Sequence, residues 1–128
     1  MNLFSSQTEE SFSFLVSNYG FTNPIATDGS WKTTFLYENK EIVIEIELNY
    51  KDMDVFVFIT QTENKKLSNQ AIKYHLEELI NKNRIKSNGN QTTIEQFEKT
   101  IYTKADLLQS HVEGILANQS KKEAIQKR

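Results

Sequence analysis

Lys40-Glu-Ile-Val-Ile-Glu-Ile-Glu-Leu-Asn-Tyr-Lys-Asp-Met-Asp-Val-Phe-Val-Phe-Ile-Thr60 is the stretch that decides the fold. Ile42, Ile44, Ile46 and Leu48 alternate with Val43, Glu45 and Glu47. Successive side chains of a strand point to opposite faces, so this period of two predicts a strand with one dry face. After a polar turn, Val55-Phe56-Val57-Phe58-Ile59 predicts a second strand. An even-numbered turn around Lys51-Asp52 sets Leu48 opposite Val55, Ile46 opposite Val57 and Ile44 opposite Ile59. Glu47 then meets Phe56, and Glu45 meets Phe58, on the reverse face.

The same reasoning extends upstream. A two-residue turn at Asn39-Lys40 sets Tyr37 opposite Ile42, Phe35 opposite Ile44, Thr33 opposite Ile46 and Trp31 opposite Leu48. Behind them, Lys32 faces Glu47 and Leu36 faces Val43. A slip of one residue would scatter the apolar groups over both faces, so parity is strongly specified. Neither turn carries the glycine that tight hairpins favour.

Outward from this hairpin, Asp28-Gly29-Ser30 is a turn signal, and residues 21–27 predict a short strand. Pro24 removes an amide donor and places that strand at an edge. With Trp31 to Glu38, Glu41 to Tyr50 and Asp54 to Thr62, the expectation is a four-stranded antiparallel meander. The strand Asp54 to Thr62 then lies at its last edge, apolar on both sides, and invites pairing with a second copy.

Ser6-Gln7-Thr8-Glu9 has the form of a capping box, and Phe12, Leu15, Val16 and Tyr19 follow at helical spacing. Gly20 suits a left-handed helix end, so one helix is expected over Ser6 to Tyr19. Past the meander, Ser68 caps an expected second helix with a Leu67/Ile72 staple and an Ile72, Leu76, Leu79, Ile80 stripe. Ser87-Asn88-Gly89-Asn90 reads as loop. Thr92 or Thr93 caps a third helix whose stripe is Ile94, Phe97, Ile101, Ala105, Leu108, Val112 and Ile115. A helix from Thr93 to Ala117 would be roughly 35–40 Å long. Gly114 marks a place where it can break, and residues 119–128 read as a frayed basic tail. The expectation is one α+β domain over residues 1–128, its two C-terminal helices packed mainly on the Ile42/Ile44/Ile46 face.

Composition narrows the function classes. With 38% hydrophobic and 11% aromatic residues among 128, the chain can build a real core. The absence of cysteine excludes disulfides, thiol nucleophiles and thiolate metal sites. No apolar run is long enough for a bilayer, and Met1-Asn2-Leu3-Phe4 lacks a basic leader, so a cytoplasmic protein is expected. There is no metalloprotease His spacing, phosphate loop, nucleophile elbow or dinucleotide motif around His75, His111 or the serines. No catalytic residue, metal site or cofactor is therefore assigned. Asp52 and Asp54 sit at a hairpin tip, where aspartate is favoured for turn reasons.

Charge is uneven along the chain. Residues 1–64 carry ten acidic and three basic residues, and residues 65–128 carry seven acidic and twelve basic. The halves can attract one another within one domain, or an acidic face can meet a basic partner. The basic stretch Lys82-Asn83-Arg84-Ile85-Lys86 lacks interleaved exposed aromatics, which argues against nucleic acid as the main partner. The sheet's reverse face, with Glu45 and Glu47 beside Phe56 and Phe58 and next to Leu36 and Val43, is the candidate partner-binding surface. Coverage by the protein's own helices is the competing explanation for its two phenylalanines.

The order of elements supplies a resemblance. A short helix ends in Tyr19-Gly20-Phe21, the meander follows, and the chain closes on Ala105-Asp106-Leu107-Leu108 to Ile115-Leu116. This resembles small bacterial cytosolic proteins, some of them similar to immunity proteins of contact-dependent or polymorphic toxin systems. The resemblance implies a non-enzymatic inhibitor that binds a cognate protein toxin. The alternative is a homo-oligomeric structural or small-ligand-binding protein with no toxin partner.

Overall fold

The even-numbered residues of the central strand all go dry. In the computed structural model, which describes residues 3–40, 42–61, 73–80 and 94–126, Ile42, Ile44, Ile46 and Leu48 are each fully buried. The chain is α+β. Helices α1 (Leu3–Ser11) and α2 (Phe14–Tyr19) precede strands β1 (Ile25–Asp28), β2 (Lys32–Glu38), β3 (Ile42–Asn49), β4 (Asp54–Gln61) and β5 (Lys73–His75). Helices α3 (Leu76–Leu79) and α4 (Ile94–Gln126) follow. The sheet is antiparallel throughout, in the order β1-β2-β3-β4-β5.

Between β3 and β4 the register is the expected one: Leu48 opposite Val55, Ile46 opposite Val57, Ile44 opposite Ile59, Glu47 opposite Phe56 and Glu45 opposite Phe58. Between β2 and β3 it differs by two residues. Thr33 lies opposite Leu48, Phe35 opposite Ile46, Tyr37 opposite Ile44 and Leu36 opposite Glu45. The turn closes between Asn39 and Ile42, not around Asn39-Lys40. Asn39 donates its amide to the Ile42 carbonyl at 3.1 Å, and its side-chain oxygen accepts the Ile42 amide at 2.8 Å. A shift of two keeps every side chain on its face, so burial does not distinguish the registers, and the asparagine does. Trp31 consequently lies outside the strand and is 66% exposed. Thr33 takes the place opposite Leu48, its hydroxyl donating to Asp28 Oδ1 at 2.7 Å and lying 2.6 Å from the Tyr50 hydroxyl.

Among the described residues the sheet has five strands, not four. Residues 73–75, expected on a helix, form β5, and Phe58, Ile59 and Thr60 of β4 pair with His75, Tyr74 and Lys73. The strand Asp54 to Thr62 is therefore not an open edge over residues 58–60. A strand apolar on both faces belongs inside a sheet, which is where β5 puts this part of β4. The helix after β5 covers only residues 76–79. The Ser68 cap, the Leu67/Ile72 staple, the Ser87–Asn90 loop and the Thr92/Thr93 cap lie outside the described residues.

The expected first helix is two. It begins at Leu3, before the Ser6 capping box, and is interrupted at Phe12-Ser13. There Ser13 and Leu15 donate to the third residue back, Glu10 and Phe12, at 3.2 and 3.1 Å. The Ser13 hydroxyl also donates to the Glu10 carbonyl, at 2.8 Å. Tightening the turn lets Phe12 and Phe14, which a straight helix would set on opposite sides, both be buried. Gly20 ends α2 at φ 72°, and the Phe21 amide donates to the Leu15 carbonyl at 3.1 Å.

Helix α4 runs unbroken through Gly114 to Gln126. A single glycine costs a helix only about 1 kcal/mol relative to alanine, and Val112, Ile115 and Leu116 around it pack on the core. Thirty-three residues make it roughly 50 Å long. Phe97, Ile101, Ala105, Leu108 and Val112 join Phe12, Phe14, Leu15 and the dry faces of β2, β3 and β4 in one core cluster. Ile94, expected at the head of that stripe, is 63% exposed.

One core feature departs from the apolar pattern. Lys104, on the buried side of α4, is 1% exposed and donates to Glu77 Oε2 of α3 at 3.0 Å, with Glu77 2% exposed. Glu77 Oε1 has no hydrogen-bond partner among the described residues. Removing one member of such a pair strands the other charge away from water. Lys104→Met is expected to cost about 3–5 kcal/mol in chemical denaturation, and Glu77→Leu added to it to recover most of that loss. Equal and additive losses would mean the pair is not a unit.

Tyr37 is also fully buried, its hydroxyl without a hydrogen-bond partner among the described residues. Burial first, and the Glu9 charge second, raise its pKa well above the ordinary 10.0. The native state holds the neutral phenol, while the unfolded chain ionises it from about pH 10. Its contribution to stability is thus present below about pH 10 and lost as pH rises toward the folded value. Denaturation midpoints should fall above that pH, and Tyr37→Phe should flatten the fall. An unchanged alkaline slope in the variant would contradict this placement.

Candidate functional site: the reverse face of the sheet

The pleat that buries Ile44 and Ile46 turns Glu45 and Glu47 to the opposite side, with Phe56 and Phe58 as their neighbours on β4. The pairing of Phe58 with His75 adds Lys73 and His75 of β5 to this face. Glu45, Glu47, Phe56, Phe58 and Leu36 are all partly buried there, and Val43 is buried at 7% exposure. The six residues expected to form the surface thus share one face, with Val43 the least accessible of them.

The aromatic part is ordered by its own contacts. The Phe56 and Phe58 rings stack with centroids 6.1 Å apart and planes 25° from parallel. The His75 ring packs against both, 6.0 Å from Phe56 and 4.7 Å from Phe58. His75 is not helical, as the Leu76 stripe suggested. It ends β5 and starts α3, where its amide donates to Glu78 Oε1 at 3.1 Å. His111 does lie on a helix, α4, far along the chain from any of these residues.

Both carboxylates hold lysines. Lys73 Nζ lies 2.9 Å from Glu45 Oε2 and 4.6 Å from the Phe58 ring centroid. Lys32 Nζ lies 3.5 Å from Glu47 Oε1, and the Asn49 amide donates to Glu47 Oε2 at 3.3 Å. In each pair the carboxylate is mostly covered, at 19% and 14% side-chain exposure, while the lysine is half in water, at 48% and 55%. The sequence pointed to Lys32 beside Glu47, although the register expected to put it there is off by two. Lys73 and His75 were missed, because residues 72–80 carry a helical stripe and nothing local announces a strand.

Carboxylates beside aromatic faces attract cations, and stacked rings offer an apolar anchor. Among the described residues no group of three His, Cys, Asp or Glu side chains could hold a metal ion, and no helix is long and apolar enough to cross a membrane. Comparison with protein-family models, with curated proteins and with solved structures returned no match.

Half-exposed ion pairs are worth little. A double-mutant cycle with Lys73→Met and Glu45→Gln should give a coupling below about 1 kcal/mol that shrinks with added salt. A larger, salt-independent coupling would mean that the pair works as a buried brace for β5 and not as a surface contact.

Proposed function

We propose that this protein is a non-enzymatic binding module that docks a protein partner on the sheet face carrying Glu45, Glu47, Phe56 and Phe58. The helices take the Ile42/Ile44/Ile46 face in this reading and leave the other to the partner. The observation that carries it is the stacked Phe56/Phe58 pair, set beside two mostly covered carboxylates on the side of the sheet away from the core. Aromatic anchors with a charged rim are what protein interfaces concentrate. The immunity-type resemblance supplies the class of partner: a cytoplasmic inhibitor and its cognate toxin. Toxin domains that cut nucleic acid need basic clefts to bind phosphate, and their cations can take over Glu45 and Glu47 from Lys73 and Lys32 beside the aromatic pair.

A second reading, self-association, is favoured by β1. All four of its residues are exposed, and Ile25 on this outer strand is 62% exposed. Sedimentation equilibrium over a concentration series separates the two, because a monomer at every concentration removes self-association.

The test of the main reading starts from affinity capture with mass-spectrometric identification and proceeds to titration calorimetry with the captured protein. Phe56→Ala should weaken binding by roughly 2 kcal/mol or more. Glu45→Lys combined with Glu47→Lys should abolish it, with circular dichroism confirming the fold. Unchanged affinity in both folded variants would remove this face from consideration.

A further inference from the structure

The Lys73 contact has two parts, a carboxylate at 2.9 Å and an aromatic face at 4.6 Å, and the ammonium it holds is on the solvent side of the sheet. Glu45 and Phe58 are cross-strand neighbours in the register, so their spacing is fixed by the β3–β4 ladder and not by the lysine. The His75 ring, tilted 45° to Phe58, stands beside them. Carboxylate and ring are thus both placed by the sheet, and the lysine that reaches them is a side chain 48% exposed. Next to it, Glu47 pairs with a second lysine, Lys32, at 3.5 Å. The face binds ammonium groups twice over within its own chain.

We propose that Glu45, Phe58 and His75 form a seat for a lysine or arginine side chain of the protein partner, and that Lys73 is an internal occupant that the partner displaces. This rests on the docking face proposed above and names the chemistry by which that face selects its partner. Charge complementarity supports it: a mostly covered carboxylate with a ring face beside it prefers a cation, and the one in place belongs to a side chain that is 48% exposed. Displacement exchanges one cation for another, so the carboxylate is never left unpaired. The seat selects basic partners, and Lys73 sets the affinity threshold they must exceed.

The prediction is opposite in sign to that for a lysine that contributes to binding. Lys73→Met keeps the aliphatic stem of β5 and empties the seat. Titrated by NMR with an acetylated tetra-lysine peptide, the variant should bind roughly threefold tighter or more than the wild type. The shifts should centre on the Phe58 and His75 rings. Lys99→Met, which makes the same change of net charge on exposed α4, should leave the affinity unchanged. Glu45→Gln in the Lys73→Met background should remove the gain. Amide spectra establish that β5 stays paired, and Lys73→Gln replaces the methionine variant if it does not. An affinity no tighter than wild type, an equal gain in Lys99→Met, or shifts away from Phe58 and His75 overturns the seat. With the captured partner, loss of binding in Phe56→Ala but no gain in Lys73→Met would sink the seat and leave the docking face standing. No effect of either would sink both.

Discussion

The fold depends on one constraint: β3 has a dry face and a wet face, and its sequence allows only one choice of which is which. Burying Ile42, Ile44, Ile46 and Leu48 removes four large aliphatic side chains from water completely, each worth about 1.5–3 kcal/mol. The other choice would bury the charges of Glu45 and Glu47, at a large desolvation cost. Everything else is arranged around that decision. Val55, Val57 and Ile59 match it from β4, Phe35 and Tyr37 from β2, and the apolar sides of α1, α2 and α4 close over the result.

Parity was legible in the sequence, and the β2–β3 register was not, for a physical reason. A two-residue shift conserves every facing, so hydrophobic burial is nearly blind to it. The choice was made by polar groups that cost little to write into a sequence: Asn39 closing on the Ile42 amide, and Thr33 bonding to Asp28 and Tyr50. A tryptophan opposite Leu48 looked better by burial than a threonine, yet the threonine holds the position. The β3–β4 turn was legible because its four-residue loop keeps even parity and Asn49 accepts the Asp52 amide at 2.9 Å.

β5 and Lys104 show where local reading stops. Lys73-Tyr74-His75 has no strand pattern of its own, and it becomes a strand because β4, apolar on both sides, presents backbone groups to pair with. Lys104 falls three residues after Ile101 and four before Leu108, which is the inward side of α4, where a lone charge is costly. Only the carboxylate of Glu77, brought from a helix 27 residues away, makes that position tenable. Both failures concern the segment that includes β5 and α3, and that segment supplies Lys73 and His75 to the candidate site. The part of the candidate site on β3 and β4 was therefore visible, and the part on β5 was not.

The pairing of its carboxylates changes how such a face can work. A bare row of glutamates would attract a basic partner from a distance and lose that attraction in salt. With Lys73 and Lys32 in place, the face is close to neutral, and long-range steering must come from the acidic excess of residues 1–64 as a whole. In the proposed docking, a partner's cations would replace the internal ones, so the number of ion pairs would be conserved and little net affinity would arise from charge. Affinity would then come from apolar contact with Phe56 and Phe58, whereas the Glu45 carboxylate would act by exclusion: a partner with no cation to offer would leave Lys73 where it is, over the Phe58 ring. Selectivity and binding strength are in this way assigned to different residues of the same sheet face.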